Sequence, residues 1–252
     1  IDPTTGVITF QPNKDFTGTP DPAKVVAKDT NGTKVETTYT PTVTPVTPTA
    51  EPKETTGKQG QPQTQETESM FKQGDEVAPI DKTTVKLVDP SGNEVTTMPA
   101  MKDGKEVGTY TIDPTTGVIT FQPNKDFTGT PDPAKVVAKD TNGTKVETTY
   151  TPTVTPVTPT AEPKETTDIQ GKEQNGKPEF KPGNPEVPMD DKVPATFEDG
   201  STTKTIPGEG TYTVAPDGTV TFTPEKTFTG KGTGVTVKRV DKNGTPVTAK
   251  YR

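Results

Sequence analysis

Residues Ile1–Thr56 recur without a single change as Ile112–Thr167. A looser third copy runs from Val214 to Arg252. Self-similarity at a fixed spacing marks an array of structural units. The offset of 111 residues between the identical copies is too long for a helical hairpin or a propeller blade. It suits a whole small domain. The chain therefore reads as a string of domains on one plan, beginning partway through one of them.

Composition then decides what kind of domain is repeated. Roughly a fifth of the residues are threonine, and Leu87 is the only leucine. Threonine, valine and glycine are poor helix formers, which removes helix as a main element. The same residues, glycine apart, favour strands. Val, Ile, Leu and Phe together make up about 17% of the chain, under the roughly 20% that flags disorder. Two observations weigh against a disordered chain. The net charge is only −7 over 252 residues, and the apolar residues alternate along short runs. A thin core of Val, Phe, Tyr and Thr methyl groups satisfies both, and implies modules of modest stability.

The runs read in order as strands. In the middle of the chain, Met70-Phe71 leads into Thr83–Val88, a turn at Asp89–Asn93, and Glu94–Met98. Val107–Ile112 places Tyr110 and Ile112 on one face, and Val118–Phe121, Ala134–Lys139 and Lys145–Thr151 follow. The third copy repeats this with Gly210–Ala215, Thr219–Thr223, Thr233–Val240 and Thr245–Arg252. Val235 and Val237 slip to Val240 by an odd step, which predicts a β-bulge near Lys238-Arg239. The first copy supplies Val7–Phe10, Lys24–Lys28 and Lys34–Thr40 but nothing before them. It is expected to be loosely ordered, or completed by another chain. Each copy carries Asn-Gly between two β-rich runs: Asn31-Gly32, Asn142-Gly143 and Asn243-Gly244. These are predicted hairpin turns with two central residues at positive φ.

Short strands every 8–12 residues with turn signals between them imply an all-β chain of tandem antiparallel β-sandwich modules. Pro/Thr-rich connectors in extended geometry would join them into an elongated array. The expected division is a C-terminal half repeat at 1–47, a Pro/Thr/Gln-rich linker at 48–64 and a complete repeat at 65–158. A second linker at 159–178 and a complete repeat at 179–252 follow.

Histidine and cysteine are absent, so Ser-His-Asp, Cys-His and His- or thiolate-metal sites are unavailable. Carboxylates are plentiful, but repeated thin modules offer no cleft to hold a catalytic pair. No enzyme, cofactor or metal is expected. The sequence pI near 4.9 and the lack of a basic cluster exclude nucleic acid. No apolar run approaches membrane-spanning length. Asp140–Gly143 and Asp241–Gly244 start like a calcium loop but lack the rest of its ligands. Asn-Gly-Thr at 31, 142 and 243 also matches an N-glycan acceptor, though the turn explains the residues without a glycan. The Thr/Pro-rich connectors would suit O-glycans, or serve as bare extended linkers.

Residues 197–251, FEDGSTTKTIPGEGTYTVAPDGTVTFTPEKTFTGKGTGVTVKRVDKNGTPVTAKY, resemble the CshA-type fibril repeat of cell-wall-anchored adhesins of streptococci and related Gram-positive bacteria. So does YTPTVTPVTPTA at 39–50 and 150–161. Lys82–Glu106 departs from that pattern and is longer. The resemblance implies a structural stalk on the bacterial surface that projects an adhesive region, outside this segment, away from the cell wall. Partners would be neighbouring repeats of the same chain, with host matrix proteins bound through regions outside this segment. The alternative is a repeat that itself adheres to host glycoprotein or to like repeats on other cells. Stalk domains of Gram-positive bacteria often carry Lys–Asn isopeptide crosslinks; here the most regular Asn of each copy lies in a turn.

Overall fold

The computed structural model describes residues 1–252. The first copy forms one hairpin, β1 (Ala23–Lys28) with β2 (Lys34–Tyr39), most of it exposed. Val7–Phe10, predicted as a strand, is unpaired. The identical residues at 118–121 lie largely in a strand, because there they have neighbours on both sides.

The second repeat begins with β3 (Thr49–Ala50), β4 (Lys53–Lys58) and β5 (Gln63–Gln65). One helical turn, α1 (Thr67–Met70), leads to β6 (Phe71–Lys72). Then come β7 (Ile80–Val88), β8 (Glu94–Val95), β9 (Thr97–Lys102), β10 (Lys105–Ile112), β11 (Ile119–Pro123), β12 (Ala134–Asp140) and β13 (Lys145–Thr155). Two sheets face each other, in the orders β5-β11-β10-β9 and β4-β13-β12-β7-β8, and β3 pairs with β6. The third repeat uses β14 (Thr160–Glu162), β15 (Gln174–Gly176), β16 (Glu179–Lys181), β17 (Thr196–Phe197), β18 (Thr203–Ile206), β19 (Gly210–Val214), β20 (Val220–Pro224), β21 (Val235–Val240) and β22 (Pro246–Tyr251). Its sheets, β15-β20-β19-β18 and β17-β21-β22, with β14 on β16, reproduce the same plan.

Alternation builds each interior. Tyr110 and Ile112 of β10, Ile119 and Phe121 of β11, and Val136 and Ala138 of β12 all point inward and are buried. Leu87 and Tyr150 complete the layer. In the third repeat Tyr212, Val214, Val220, Phe222, Val235 and Val237 do the same. Tilted and stacked aromatic pairs thicken these thin cores: Tyr110–Phe121 at 5.2 Å and Tyr212–Phe222 at 4.4 Å between centroids, each contributing about 0.5–1.5 kcal/mol beyond area burial. The two cores share no residue. The molecule exposes 15032 Å², where a compact globule of its 26.8 kDa mass would expose about 10,800 Å². That excess is what separate beads on one string present.

Several expectations need correction. Residues 48–64 and 159–178 are not linkers, since they carry β3–β5 and β14–β15. The alternating exposure of KETTGK in β4 is the strand signal, hidden by its polarity. β4 pairs with β13 in parallel, so the sandwich is not wholly antiparallel. A parallel pair needs a long crossover, and here almost the whole repeat supplies it. β21 and β22 pair without a register shift, so the bulge near Lys238-Arg239 is absent. Arg239 instead takes the next inward position. Its guanidinium lies 6.0 Å from the centre of the Phe180 ring and 2.9 Å from Asp191, which lets an arginine occupy a buried place.

Candidate functional site

Each predicted turn residue lies in a loop between two paired strands: Asn31 and Gly32 between β1 and β2, Asn142 and Gly143 between β12 and β13, Asn243 and Gly244 between β21 and β22. Five residues, not two, lie beyond the last cross-strand pair of each hairpin: 29–33, 140–144 and 241–245. Among them the glycine alone has positive φ, +84° at Gly32, +85° at Gly143 and +80° at Gly244. The preceding aspartate accounts for the difference. Asp140 Oδ1 accepts the amides of Asn142 (3.0 Å) and Thr144 (2.9 Å), while the Gly143 amide donates to Asp140 O (2.9 Å). Asp29 and Asp241 make the same bonds. A side chain that ties its own loop this way favours a wider turn over a two-residue one.

Polar groups inside the sandwiches are fixed in pairs. The Thr55 hydroxyl donates to Gln63 Oε1 (2.6 Å) and lies 2.6 Å from the Tyr150 hydroxyl. Thr166 and Tyr251 repeat that contact at 2.8 Å. Burial pushes the hydroxyls of Tyr110, Tyr150, Tyr212 and Tyr251 above the usual tyrosine range. They act as neutral core groups rather than as acids. Glu209 is the one buried glutamate. Burial pushes its carboxyl up. The Tyr212 hydroxyl and the amides of Thr233 and Gly234 more than offset this and hold it below the usual carboxylate range. Nothing in the sequence pattern marks Glu209, because its counterpart in the second repeat is Val107.

A groove of about 580 Å³ lies on the third repeat, bordered by Thr166, Gln170, Tyr212, Phe222, Phe228 and Gly232. The corresponding strip of the second repeat is covered by its own chain. There Pro152–Thr155 of β13 lie along β4, and Val154 bridges to Gly129 in both directions (2.8 and 2.9 Å). No lysine is buried in any repeat, so no Lys–Asn pair shares the apolar setting a crosslink requires. No cluster of three or more acidic, histidine or cysteine side chains is placed to hold a metal ion. No helix is long and apolar enough to cross a membrane.

The family described as the surface adhesin CshA repetitive domain matches residues 1–43, 45–154 and 156–252. Among solved structures, the chain is 72% identical to repeat domain 13 of the fibrillar adhesin CshA from Streptococcus gordonii, covering 27% of this chain and 87% of that one, with a TM-score of 0.18. It is 14% identical to Drosophila N-cadherin EC1–3, covering 80% and 63%, with a TM-score of 0.32. It is 12% identical to the I9–I11 tandem of titin, covering 92% and 73%, also at 0.32. No curated protein matches the chain.

Proposed function

The chain belongs to the surface adhesin CshA repetitive domain family, and from that premise we propose that it is a spacer segment of a bacterial surface fibril. In this reading its repeats set the distance between the cell wall and an adhesive region elsewhere in the protein. The observation that carries the reading is where the aromatic side chains are. Four of the five tyrosines are buried in the two complete repeats. The large exposed apolar residues of those repeats are single and aliphatic: Val77, Ile169 and Val193. Aromatic anchors dominate binding hot spots, and none of the aromatic side chains of these repeats is among the exposed large apolar residues. The strand β13, with 11 residues, spans about 36 Å at strand rise, so each added repeat extends the fibril by a similar length.

The family places the chain at the cell surface, and anchorage to a cell wall is part of the proposal. Non-enzymatic action agrees with the absence of histidine and cysteine and with perturbed groups that are core tyrosines, the buried Glu209 bonded to Tyr212 and the Thr233 amide, and carboxylates tied into turns or surface ion pairs. The test is solid-phase binding of the 252-residue chain to immobilised host matrix glycoproteins and to itself. A spacer gives no saturable signal. Saturable binding would overturn the reading in favour of repeats that adhere directly.

A further inference from the structure

The second and third repeats touch through the Gln59-Gly60 turn and the Asn243 loop, with the exposed Lys58 and Glu186 side chains 3.9 Å apart beside them, and the turn contact repeats features built into each copy. Gln59 lies in the turn after β4 and is only 6% exposed. Its amide donates to Thr155 O (2.8 Å), its Nε2 donates to Lys125 O (2.8 Å), and its Oε1 accepts the Val157 amide (3.1 Å). Those bonds lock the end of β13 and the exit of the repeat onto one side chain. They leave the Gln59 carbonyl facing the third repeat, where it accepts Nδ2 of Asn243 at 3.0 Å. Gly60 beside it has φ +80°, and a Cβ there would meet Asn243 Oδ1 at 2.2 Å. The loop therefore seats against bare backbone.

The chain between the repeats has no slack. Val157 and Pro159 are buried. A Cβ at Gly183 would lie 2.3 Å from Thr158 O, so the incoming chain presses directly on the third repeat. The same approach occurs one repeat earlier, between Gly74 and Thr47 O at 2.4 Å. The receiving turn also recurs. Gln170 Nε2 donates to Lys226 O (3.0 Å), as Gln59 does to Lys125, and Gly171 has φ +79° with open space around it. Asn142 makes its hydrogen bond within its own loop, from its amide to Asp140 Oδ1, and its side chain makes none to another repeat.

We propose that the Gln-Gly turn at the trailing end of each repeat is a docking surface for the Asp-x-Asn-Gly-Thr loop of the following repeat, so that successive repeats are set at a fixed angle. The partner is another copy of the repeat, recognised by an asparagine amide on a presented carbonyl and by a glycine that clears its path. Gln59-Gly60 takes the loop of the third repeat, and Gln170-Gly171 presents the same surface to a further one. This inference concerns the joint alone and holds whatever the array carries.

The test measures distances between spin labels on the full chain, which has no cysteine of its own. Lys105→Cys and Lys204→Cys place one label on an exposed position of each complete repeat. The docked joint gives one narrow distance distribution. Asn243→Ala broadens it about twofold or more, because a small interface otherwise leaves domains free to move. Asn142→Ala, with no such contact, leaves it narrow. Asn243→Asp keeps the loop but lacks the donor, and broadens the distribution even where the alanine variant fails to fold. A broad distribution in the parent, no change in either Asn243 variant, or equal broadening by Asn142→Ala would each overturn the proposal.

Discussion

At the scale of single residues, the third repeat contains one group whose ionisation matters to its stability. Glu209 is 7% exposed and accepts from Tyr212 and from the Thr233 amide. Its folded pKa is depressed. Its stabilising contribution is therefore fully present above the ordinary carboxylate value of 4.5 and is lost as pH falls through the lower folded value. Glu209→Gln, which weakens these charge-assisted bonds, is expected to cost the third repeat about 1–3 kcal/mol at neutral pH. Denaturant titrations at pH 7 and pH 3.5 check the sign. The parent's third repeat loses more stability on acidification than the variant's, while the second repeat, with Val107 at that place, is the same in both. Arg239 is the other residue that pattern alone misplaces. A charged side chain at an inward position breaks the alternation of Val235 and Val237. The compensating Phe180 and Asp191 come from distant segments, which a single strand's sequence does not display.

At the scale of elements, the second repeat is organised around β7, which pairs with β12 and β8 in the larger sheet and carries Leu87. Leu87 is fully buried, and Leu87→Ala is expected to cost about 2–5 kcal/mol, the transfer term plus the cavity left behind. The loss should fall on the second repeat alone, because its core shares no residue with the third. NMR-monitored unfolding would follow the two repeats separately. A matching loss in the third repeat would contradict independence. Strands with apolar alternation, such as β10, β11, β19 and β20, were legible in the sequence, as was their inward face. β4 was not. Its less exposed positions are Lys53, Thr55 and Gly57 rather than apolar side chains, and its partner residues in β13 lie 97 positions further on (150 minus 53), so neither composition nor local pairing reveals it. The first copy makes the same point in reverse. Val7–Phe10 repeats the sequence around β11 letter for letter and forms no strand, because strand formation there depends on neighbours the half repeat lacks. Pairing partners, more than propensity, decide these elements.

At the scale of the whole molecule, the repeats remain separate beads because each closes its own thin core and presents a polar, threonine-rich exterior. Dispersed charge on exposed strands keeps near-identical neighbours from pairing edge to edge, a hazard that sequence identity between adjacent domains otherwise raises. The surface excess over a compact globule of equal mass agrees with an outstretched chain. The plan of repetition was legible from the identical copies. The position of the boundaries was not, because strands β3–β5 and β14–β15 are written in residues that also make linkers. The most direct measurement is small-angle X-ray scattering of the 252-residue chain in dilute solution. Beads in line predict a radius of gyration of about 25–35 Å with a rod-like cross-section, against about 18 Å for one compact domain and about 55 Å for an unfolded chain of this length. A value near either of those limits would contradict the account.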